Sequence, residues 1–277
     1  MAGIIWLASY PKSGNTWIRL FLENLLSESD DPIDINARKH FGTGDSLATW
    51  YRRFSDKPVD KLDRAAVDAL RPRVHQFLTT LSAGAIVIKT HNALIAENGV
   101  PLITPEYTAG AIYVARNPLD VSLSAAHHFG VTINKAIRIM ANQRAATPTT
   151  AAQVYNVYSS WSEHVESWTA TPHPNLLVIR YEDMLEMPQE TFARVAQHVG
   201  RGEKKEAIAR AIEHTRFDRL KGQESGKRFV ESVKGRAFFR EGQSEQWRTK
   251  LSHSQVQRII RNHRATMARL GYIPEGY

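Results

Sequence analysis

Residues 4–22 of the chain read IIWLASYPKSGNTWIRLFL and form the most informative part of the sequence. A short apolar run from Ile4 to Ala8 breaks into a turn that contains Pro11 and Gly14, and an apolar-periodic segment begins at Trp17. The pattern predicts a strand, a loop and a helix in direct succession.

The predicted loop carries Lys12, Ser13 and Thr16 at the point where the helix begins. Backbone N–H groups at a helix N-terminus have no partner within the helix, and together with the helix dipole they attract anions. The two hydroxyls and the ammonium group add donors and charge. We therefore predict a site for phosphate or a phosphate-like group. The spacing is not that of the Walker loop, in which lysine follows the second glycine, so an ordinary surface turn fits this loop equally well.

Three further apolar runs share the character of the first one. They are short, rich in β-branched residues and not alternating, which is typical of strands buried on both faces of a parallel sheet. Helical stretches follow them, so the chain reads as βαβ units and a doubly wound α/β fold. The runs cover residues 85–88, 111–115 and 176–179, and the helical stretches cover residues 118–126, 151–168, 188–199 and 204–214.

Basic or polar side chains stand where each predicted strand ends: Lys12, then Lys89 and His91, then Arg116, then Tyr181. Ligands bind outside the carboxyl ends of the strands in such sheets. Because anion donors and a histidine converge there, a functional site is favoured over scattered surface charge.

The C-terminal third has a different character. Regular structure is predicted to fade beyond Thr215, and residues 222–242 read as a long loop of the kind that is often functional. A last helix is predicted over residues 252–270, with Ser252 and Gln255 forming a capping box.

Composition limits the possible functions of the 277-residue chain. The absence of cysteine excludes disulfides, thiolate catalysis and zinc–thiolate sites. We expect neither a signal peptide nor a membrane span, because no apolar run approaches the length of about 18 residues that a span needs, and we expect a cytoplasmic protein. The net charge is +8, but the basic residues are dispersed apart from clusters at 204–205 and 234–240. We therefore predict a polyanionic small ligand and no nucleic-acid partner.

Five segments resemble a known family. Residues 9–17 (SYPKSGNTW) resemble the 5′-phosphosulfate loop of sulfotransferases that use 3′-phosphoadenylyl sulfate (PAPS), and residues 116–124 (RNPLDVSLS) resemble their 3′-phosphate segment. Residues 89–91 (KTH) resemble the catalytic histidine segment of the cytosolic, small-molecule branch, and residues 181–184 (YEDM) match a further stretch. Residues 239–242 (FREG) with Trp247 resemble the C-terminal Arg-Lys-Gly segment and its downstream tryptophan. The segments occur in the family's order and span nearly the whole chain.

The resemblance implies one sulfotransferase domain over residues 1–277, with a central parallel sheet in a P-loop-like fold and a cofactor and lid loop at 215–247. The implied reaction moves the sulfuryl group of PAPS to a hydroxyl or amine of a small-molecule acceptor, leaves adenosine 3′,5′-bisphosphate (PAP) and uses no metal. It also implies a bacterial member of the branch.

The resemblance also implies a role for each site residue. Lys12 acts on the bridging oxygen, and Ser124 restrains Lys12 until acceptor arrives. The 5′-phosphosulfate is held by Ser13, Gly14, Asn15 and Thr16, the 3′-phosphate by Arg116, Ser124, Arg240 and Gly242, and the adenine by Trp17, Tyr181, Thr215 and Phe217.

His91 is the predicted general base, because a neutral imidazole takes the proton of an attacking hydroxyl near pH 7. Lys89 either assists the sulfuryl charge or only forms an ion pair. His127 and His128 are predicted to pack or to line the pocket. The acceptor pocket and its lid are expected among residues 41–51, 127–133 and 229–239.

The chain departs from the family pattern at three places. Glu241 stands where lysine is usual, so it either points outward or weakens cofactor binding, and Arg216 is a candidate for the missing charge. The usual dimerisation segment is altered over residues 248–257, which leaves monomer and dimer open. Two other functions remain as alternatives: a nucleotide or sugar kinase of P-loop-like fold, and a non-catalytic polyanion-binding protein.

Overall fold

The computed structural model of the protein describes residues 3–27, 29–37, 41, 43–233 and 236–277. The strands are β1 (Ile4–Ser9), β2 (Ile86–Thr90), β3 (Ala96–Glu97), β4 (Val100–Pro101), β5 (Thr108–Ala115) and β6 (Leu176–Arg180). β1, β2, β5 and β6 form one parallel sheet in the order β2-β1-β5-β6, and β3 and β4 form a small antiparallel pair. The four apolar runs of the sequence are therefore the four strands of the main sheet, as predicted.

Helices cover both faces of the sheet. They are α1 (Asn15–Leu26), α2 (Ala48–Tyr51), α3 (Arg64–Thr79), α4 (Pro118–Phe129), α5 (Ile133–Met140), α6 (Trp161–Thr169), α7 (Tyr181–Glu186), α8 (Pro188–His198), α9 (Lys205–His214), α10 (Phe217–Gly226), α11 (Trp247–Lys250) and α12 (His253–Arg269), with 3₁₀ turns at Val59–Lys61 and Pro105–Tyr107. None of the helices in the described ranges has both the length and the apolar composition of a membrane span.

The buried core explains why the strand sequences do not alternate. Trp6 faces a cluster that includes residues of α6 and α12, whereas its neighbour Leu7 faces a cluster with residues of α1 and α8. Tyr113 and Ile112 of β5 divide between the two clusters in the same way, and all four side chains are fully buried. Both faces of the sheet are therefore covered, and successive strand residues are all apolar.

The strand order creates a crevice at one edge of the sheet. The chain passes from β1 to β2 on one side and returns past β1 to β5 on the other, so the connections reverse direction between β1 and β5. Ala8 pairs with Thr90 and Ser9 pairs with Val114, which brings the carboxyl ends of three strands to the same edge. Ligands of open parallel sheets bind at such a switch point.

The helical predictions are confirmed for α4, α8, α9 and α12, and the capping box of Ser252 and Gln255 is present. The prediction over residues 151–168 is wrong in its first part. Ser160 caps α6 in a capping box with Glu163, and the chain before it forms isolated bridges that pair Gln153 with Leu47 and Val157 with Ala146. These bridges satisfy backbone groups in extended rather than helical geometry.

The expectation for the C-terminal third is also partly wrong. Regular structure does not fade after Thr215, because α10 covers Phe217–Gly226, and the long loop begins only after it. Residues 234 and 235 of that loop, and residue 42 of the first predicted pocket segment, lie outside the described residues.

Candidate active site

A cavity of about 460 Å³ opens at the carboxyl edge of the main sheet. Lys12 follows β1, His91 follows β2, Arg116 follows β5 and Tyr181 follows β6, and all four line the cavity. The predicted site residues in its wall are Lys12, Gly14, Asn15, Thr16, Trp17, Lys89, His91, Arg116, Ser124, Tyr181, Phe217, Arg240 and Gly242.

Two predicted site residues do not form part of the wall. Ser13 is buried in the loop, and its hydroxyl oxygen has no hydrogen-bond partner among the described residues. Thr215 is fully buried at the end of α9 and donates its hydroxyl to the carbonyl oxygen of Ala211 at 2.7 Å. The structure therefore does not bring Thr215 to the cavity, and its side chain serves to close the helix.

The anion cradle is the turn between β1 and α1. Lys12 has φ +71° and Gly14 has φ +109°, both in the left-handed region. A Cβ atom on Gly14 would lie 2.8 Å from the Tyr181 ring, so only glycine fits there. The side-chain amide of Asn15 donates to the carbonyl oxygen of Leu7 at 2.9 Å and ties the start of α1 to β1. The side chain of Asn15 therefore holds the turn at the edge of the cavity.

Arg116 forms the opposite wall of the cradle. Its Nη1 donates to the carbonyl oxygen of Lys12 at 3.1 Å, and its guanidinium carbon lies 4.0 Å from the centre of the Tyr181 ring. Its Nε is buried without a partner among the described residues. A buried guanidinium donor without a partner is costly, and a phosphate oxygen would accept a hydrogen bond from it.

Two carboxylates that the sequence reasoning missed hold this wall in place. Glu182 accepts hydrogen bonds from the backbone N–H of Asn117 at 3.0 Å and from the hydroxyl of Tyr272 at 2.8 Å. Asp120 accepts from the backbone N–H groups of Glu245 at 2.7 Å and Trp247 at 3.0 Å. Asp120 lies inside the 116–124 segment, so the resemblance of that segment to the 3′-phosphate motif was a signal that could have identified Asp120 as a site residue.

The C-terminal segment brings Arg240 and Gly242 to the same cavity. Gly242 has φ +61°, and a Cβ atom there would lie 2.1 Å from the Phe217 ring, so the ring packs directly on the glycine backbone.

The charged departures from the family pattern have local partners. Glu241 lines the cavity but pairs with Lys250 at 2.5 Å, and this lysine lowers the pKa of the Glu241 carboxyl. Arg216 does not replace the missing lysine, because its guanidinium pairs with Asp218 at 3.2 Å and Glu213 at 3.5 Å on the exposed surface.

His91 is held in one tautomer. Its Nδ1 lies 2.8 Å from the carbonyl oxygen of Ser9, which can only accept, so Nδ1 carries the proton and Nε2 keeps its lone pair. Behind it, Nε2 of His164 donates to the carbonyl oxygen of His91 at 3.1 Å. Burial, and next the charge of Lys89, lower the pKa of His91 well below its usual value. The imidazole is therefore neutral at physiological pH.

Lys12 has an unusual environment. Burial lowers its pKa to about 7, and the charges of Lys89 and Arg116 act in the same direction. Its Nζ lies 3.5 Å from Nδ1 of His128 and 3.9 Å from the centre of the Phe238 ring. Within the described part of the chain no hydrogen bond joins Lys12 to Ser124, so the expected restraint by Ser124 is absent from this structure.

Sequence reasoning missed two further residues of the cavity, Arg19 and Glu231. Thr16 donates its hydroxyl to the Glu231 carboxylate at 3.0 Å, and Arg19 forms an ion pair with the same carboxylate. Nothing local marks this contact, since Thr16 and Glu231 are 215 residues apart.

Beside His91 the cavity wall is polar. Residues 43–47 run along the end of β2, with the N–H of Asp45 bonded to the carbonyl oxygen of Lys89 at 3.1 Å. The side chains in this wall bond mainly to one another, as in the 2.7 Å bond from Ser46 to Asn156. Its members are Asp45, Ser46, Thr147, Gln153, Asn156 and Tyr158. Each predicted pocket segment contributes to the cavity, the second through His128 and Phe129 and the third through Val233 and Phe238.

The fold and the site define an α/β protein with a cavity suited to an anion at the carboxyl edge of its sheet. The family model described as "Sulfotransferase domain" matches residues 3–271. The chain belongs to the sulfotransferase family, as its five segments predicted.

Individual relatives are distant. Sulfotransferase 1A1 of dog (Canis lupus familiaris) is 24% identical over 286 aligned residues, which cover 96% of this chain and 83% of the relative. Sulfotransferase 1B1 of dog is 26% identical over 219 residues, covering 78% of this chain and 66% of the relative.

Solved structures share the fold. Retinol dehydratase in complex with androsterone and inactive cofactor PAP has a TM-score of 0.64 at 21% identity, over 95% of this chain and 80% of that one. Mouse sulfotransferase SULT7A1 complexed with PAP has a TM-score of 0.63 at 18% identity, over 96% of this chain and 85% of that one. The predicted P-loop-like α/β fold is confirmed.

Proposed function

We propose that this chain, acting as one domain over residues 1–277, transfers the sulfuryl group of PAPS to a hydroxyl group of a small-molecule acceptor and releases PAP. The observation that carries the proposal is that one cavity holds both an anion cradle and a neutral imidazole with a lone pair on Nε2. The first feature suits the donor and the second suits an acceptor hydroxyl.

The residues present fit the donor. The Ser13 hydroxyl, the indole N–H of Trp17 and Nε of Arg116 are buried without partners among the described residues. Buried polar groups of this kind are rare unless a ligand or water satisfies them. Ser13, Thr16 and the N–H groups at the start of α1 would hold the 5′-phosphosulfate, and Arg116, Ser124 and Arg240 the 3′-phosphate. The donor supplies the activated sulfuryl group.

The chain's own groups then perform the proton and charge chemistry. His91 Nε2 accepts the acceptor's hydroxyl proton while the acceptor oxygen bonds to sulfur. The bond from sulfur to the bridging oxygen breaks, and that oxygen keeps the electron pair on PAP. Lys12 faces the developing charge and stabilises it as a cation or by donating a proton. Lys89, at the end of β2, adds positive potential to the same cavity.

The acceptor is proposed to be a polar, hydroxyl-bearing small molecule. Solved relatives carry androsterone or retinol, whereas the wall beside His91 here contains Ser46, Thr147, Gln153 and Asn156. Gln153 is half-buried in this wall, and its side-chain amide can exchange hydrogen bonds with an acceptor hydroxyl. An acceptor that buried this amide without a hydrogen bond would be disfavoured.

The experiment is a transfer assay with purified protein, PAPS and a panel of phenols, steroid alcohols, sugars, polyols and amines, with products identified by mass spectrometry. We expect sulfation of polyols or sugars with a higher kcat/KM than of phenols or steroids. The opposite order contradicts the polar acceptor but keeps the sulfotransferase activity. PAP binding without transfer to any panel member favours the polyanion-binding alternative.

A further inference from the structure

The Glu231 carboxylate lies inside the anion cradle. It accepts a 3.0 Å hydrogen bond from the hydroxyl of Thr16 and forms an ion pair with Arg19. The side chains of the pair are 18% and 7% exposed, respectively, so the contact is largely shielded from water. Thr16 is also one of the residues proposed to hold the 5′-phosphosulfate.

The Thr16 hydroxyl cannot serve two anions. A hydroxyl has one proton to donate, and the lone-pair side of Oγ1 already accepts from Nη2 of Arg19 at 3.2 Å. The single proton of Thr16 is therefore committed to Glu231. A donor that takes this hydrogen bond has to displace the carboxylate.

The charge of Glu231 leads to the same conclusion. Lys89 and Arg19 outweigh the effect of burial and lower the pKa of the Glu231 carboxyl, so it is ionised at neutral pH. The same negative charge acts on Lys12, where it raises the pKa against the larger lowering effect of burial. One carboxylate thus offsets part of the positive potential that would otherwise attract the donor, and two anions in one shielded cradle repel each other.

We infer that Glu231 is an internal anion that occupies the 5′-phosphosulfate subsite and competes with the donor for Thr16, so that it lowers the affinity of the site for nucleotides that carry a 5′ anion. This inference rests on the proposed function, because it needs a donor in the cradle. A ligand without a 5′ anion leaves the contact between Thr16 and Glu231 in place and does not face this competition.

The experiment measures the affinity of PAP and of adenosine 3′-phosphate by calorimetry for the wild type, Glu231→Gln and Glu190→Gln. Glutamine at 231 keeps an acceptor for Thr16 and Arg19 but removes the charge, and Glu190 is an exposed residue of α8 that matches the charge change away from the cavity. We expect Glu231→Gln to tighten PAP binding roughly tenfold and to leave adenosine 3′-phosphate within about twofold. We expect Glu190→Gln to change neither.

Two outcomes overturn the inference. Unchanged or weaker PAP binding in Glu231→Gln means that the carboxylate does not oppose the donor, and an equal gain for both nucleotides means that its effect is not specific to the 5′ subsite. A wild type that binds neither nucleotide contradicts the proposed function itself, so the two failures are distinguishable.

A measurement on the wild type keeps the test available if Glu231→Gln does not fold. Hydrogen exchange of residues 229–233 is compared with saturating PAP and with saturating adenosine 3′-phosphate. We expect faster exchange with PAP, because displacement of Glu231 releases this segment from Thr16 and Arg19. Equal exchange with the two ligands counts against the displacement.

Discussion

Nδ1 of His91 donates a 2.8 Å hydrogen bond to the carbonyl oxygen of Ser9, the last residue of β1. The strand that leads into the anion cradle thereby also fixes the tautomer of the predicted base. Donor site and base are coupled through the backbone of one residue, and the lone pair of Nε2 is available for a proton.

His91→Ala is expected to lower kcat by about 10²–10⁴-fold, the usual contribution of a positioned general base. PAP affinity should stay within about twofold of the wild type, because the bond from His91 goes to the backbone of Ser9 and not to a group that is proposed to hold phosphate. The measurements are steady-state kinetics and calorimetry. His127→Ala is the matched control, since His127 contacts the carbonyl oxygen of Ala237 outside the base position. A His91→Ala enzyme with wild-type kcat removes the assignment.

Arg116→Ala should weaken PAP binding roughly ten- to hundredfold, because hydrogen bonds to charged groups contribute about 1.5–3 kcal/mol. Arg216→Ala provides the control, as its guanidinium is exposed and already paired with Asp218 and Glu213. Calorimetry with PAP distinguishes the two variants. Equal affinities in Arg116→Ala and the wild type are incompatible with a 3′-phosphate contact.

PAP binding is expected to take up a proton near neutral pH. With a pKa of about 7, Lys12 is only partly protonated at pH 7, and a bound anion raises its pKa. Uptake should approach about half a proton per PAP at pH 7, and PAP affinity should fall as pH rises above that pKa. Calorimetry in buffers of different ionisation enthalpy measures the uptake. Lys12→Met should abolish it, and persistence of the uptake in that variant would assign it to another group.

Gly242→Ala should reduce PAP affinity and the melting temperature together. A Cβ atom would lie 2.1 Å from the Phe217 ring, and the residue has φ +61°. Gly200→Ala is the control, since Gly200 has φ +72° with no atom within 4 Å of the added Cβ. The Gly200→Ala variant is destabilised by the backbone strain alone, about 1–3 kcal/mol. Thermal unfolding and PAP titration compare the two, and equal losses of affinity would contradict a packing role for Gly242.

The parallel sheet and most of the cavity were predictable because the signal is local. Each apolar run predicts a buried strand, and the residue that follows it, such as Lys12, His91 or Arg116, is the group that lies at the end of that strand. Helix α10 was not predictable in this way, because Leu220 is its only buried residue and no apolar stripe marks it.

The contacts that complete the site were beyond a reading of local pattern. Asp120 reaches backbone N–H groups of residues 245 and 247, and Glu231 reaches Thr16 across most of the chain. Tertiary packing alone sets such pairs. Arg216 is the reverse case. The sequence made it a candidate for the missing positive charge, whereas its guanidinium forms ion pairs with the nearby Asp218 and Glu213.

The strand order has a consequence for how the chain folds while it is synthesised on the ribosome. β1 is synthesised before both of the strands with which it pairs, β2 and β5, whose last residues are 90 and 115. The apolar strand β1 therefore lacks its first partner until residue 90 has been made, and its second partner until residue 115 has been made. Completion of the anion site comes later still, because Asp120 cannot anchor the segment that carries Arg240 until residue 247 has been made. A nascent chain therefore cannot assemble the complete cavity wall before residues 240–247 have been made.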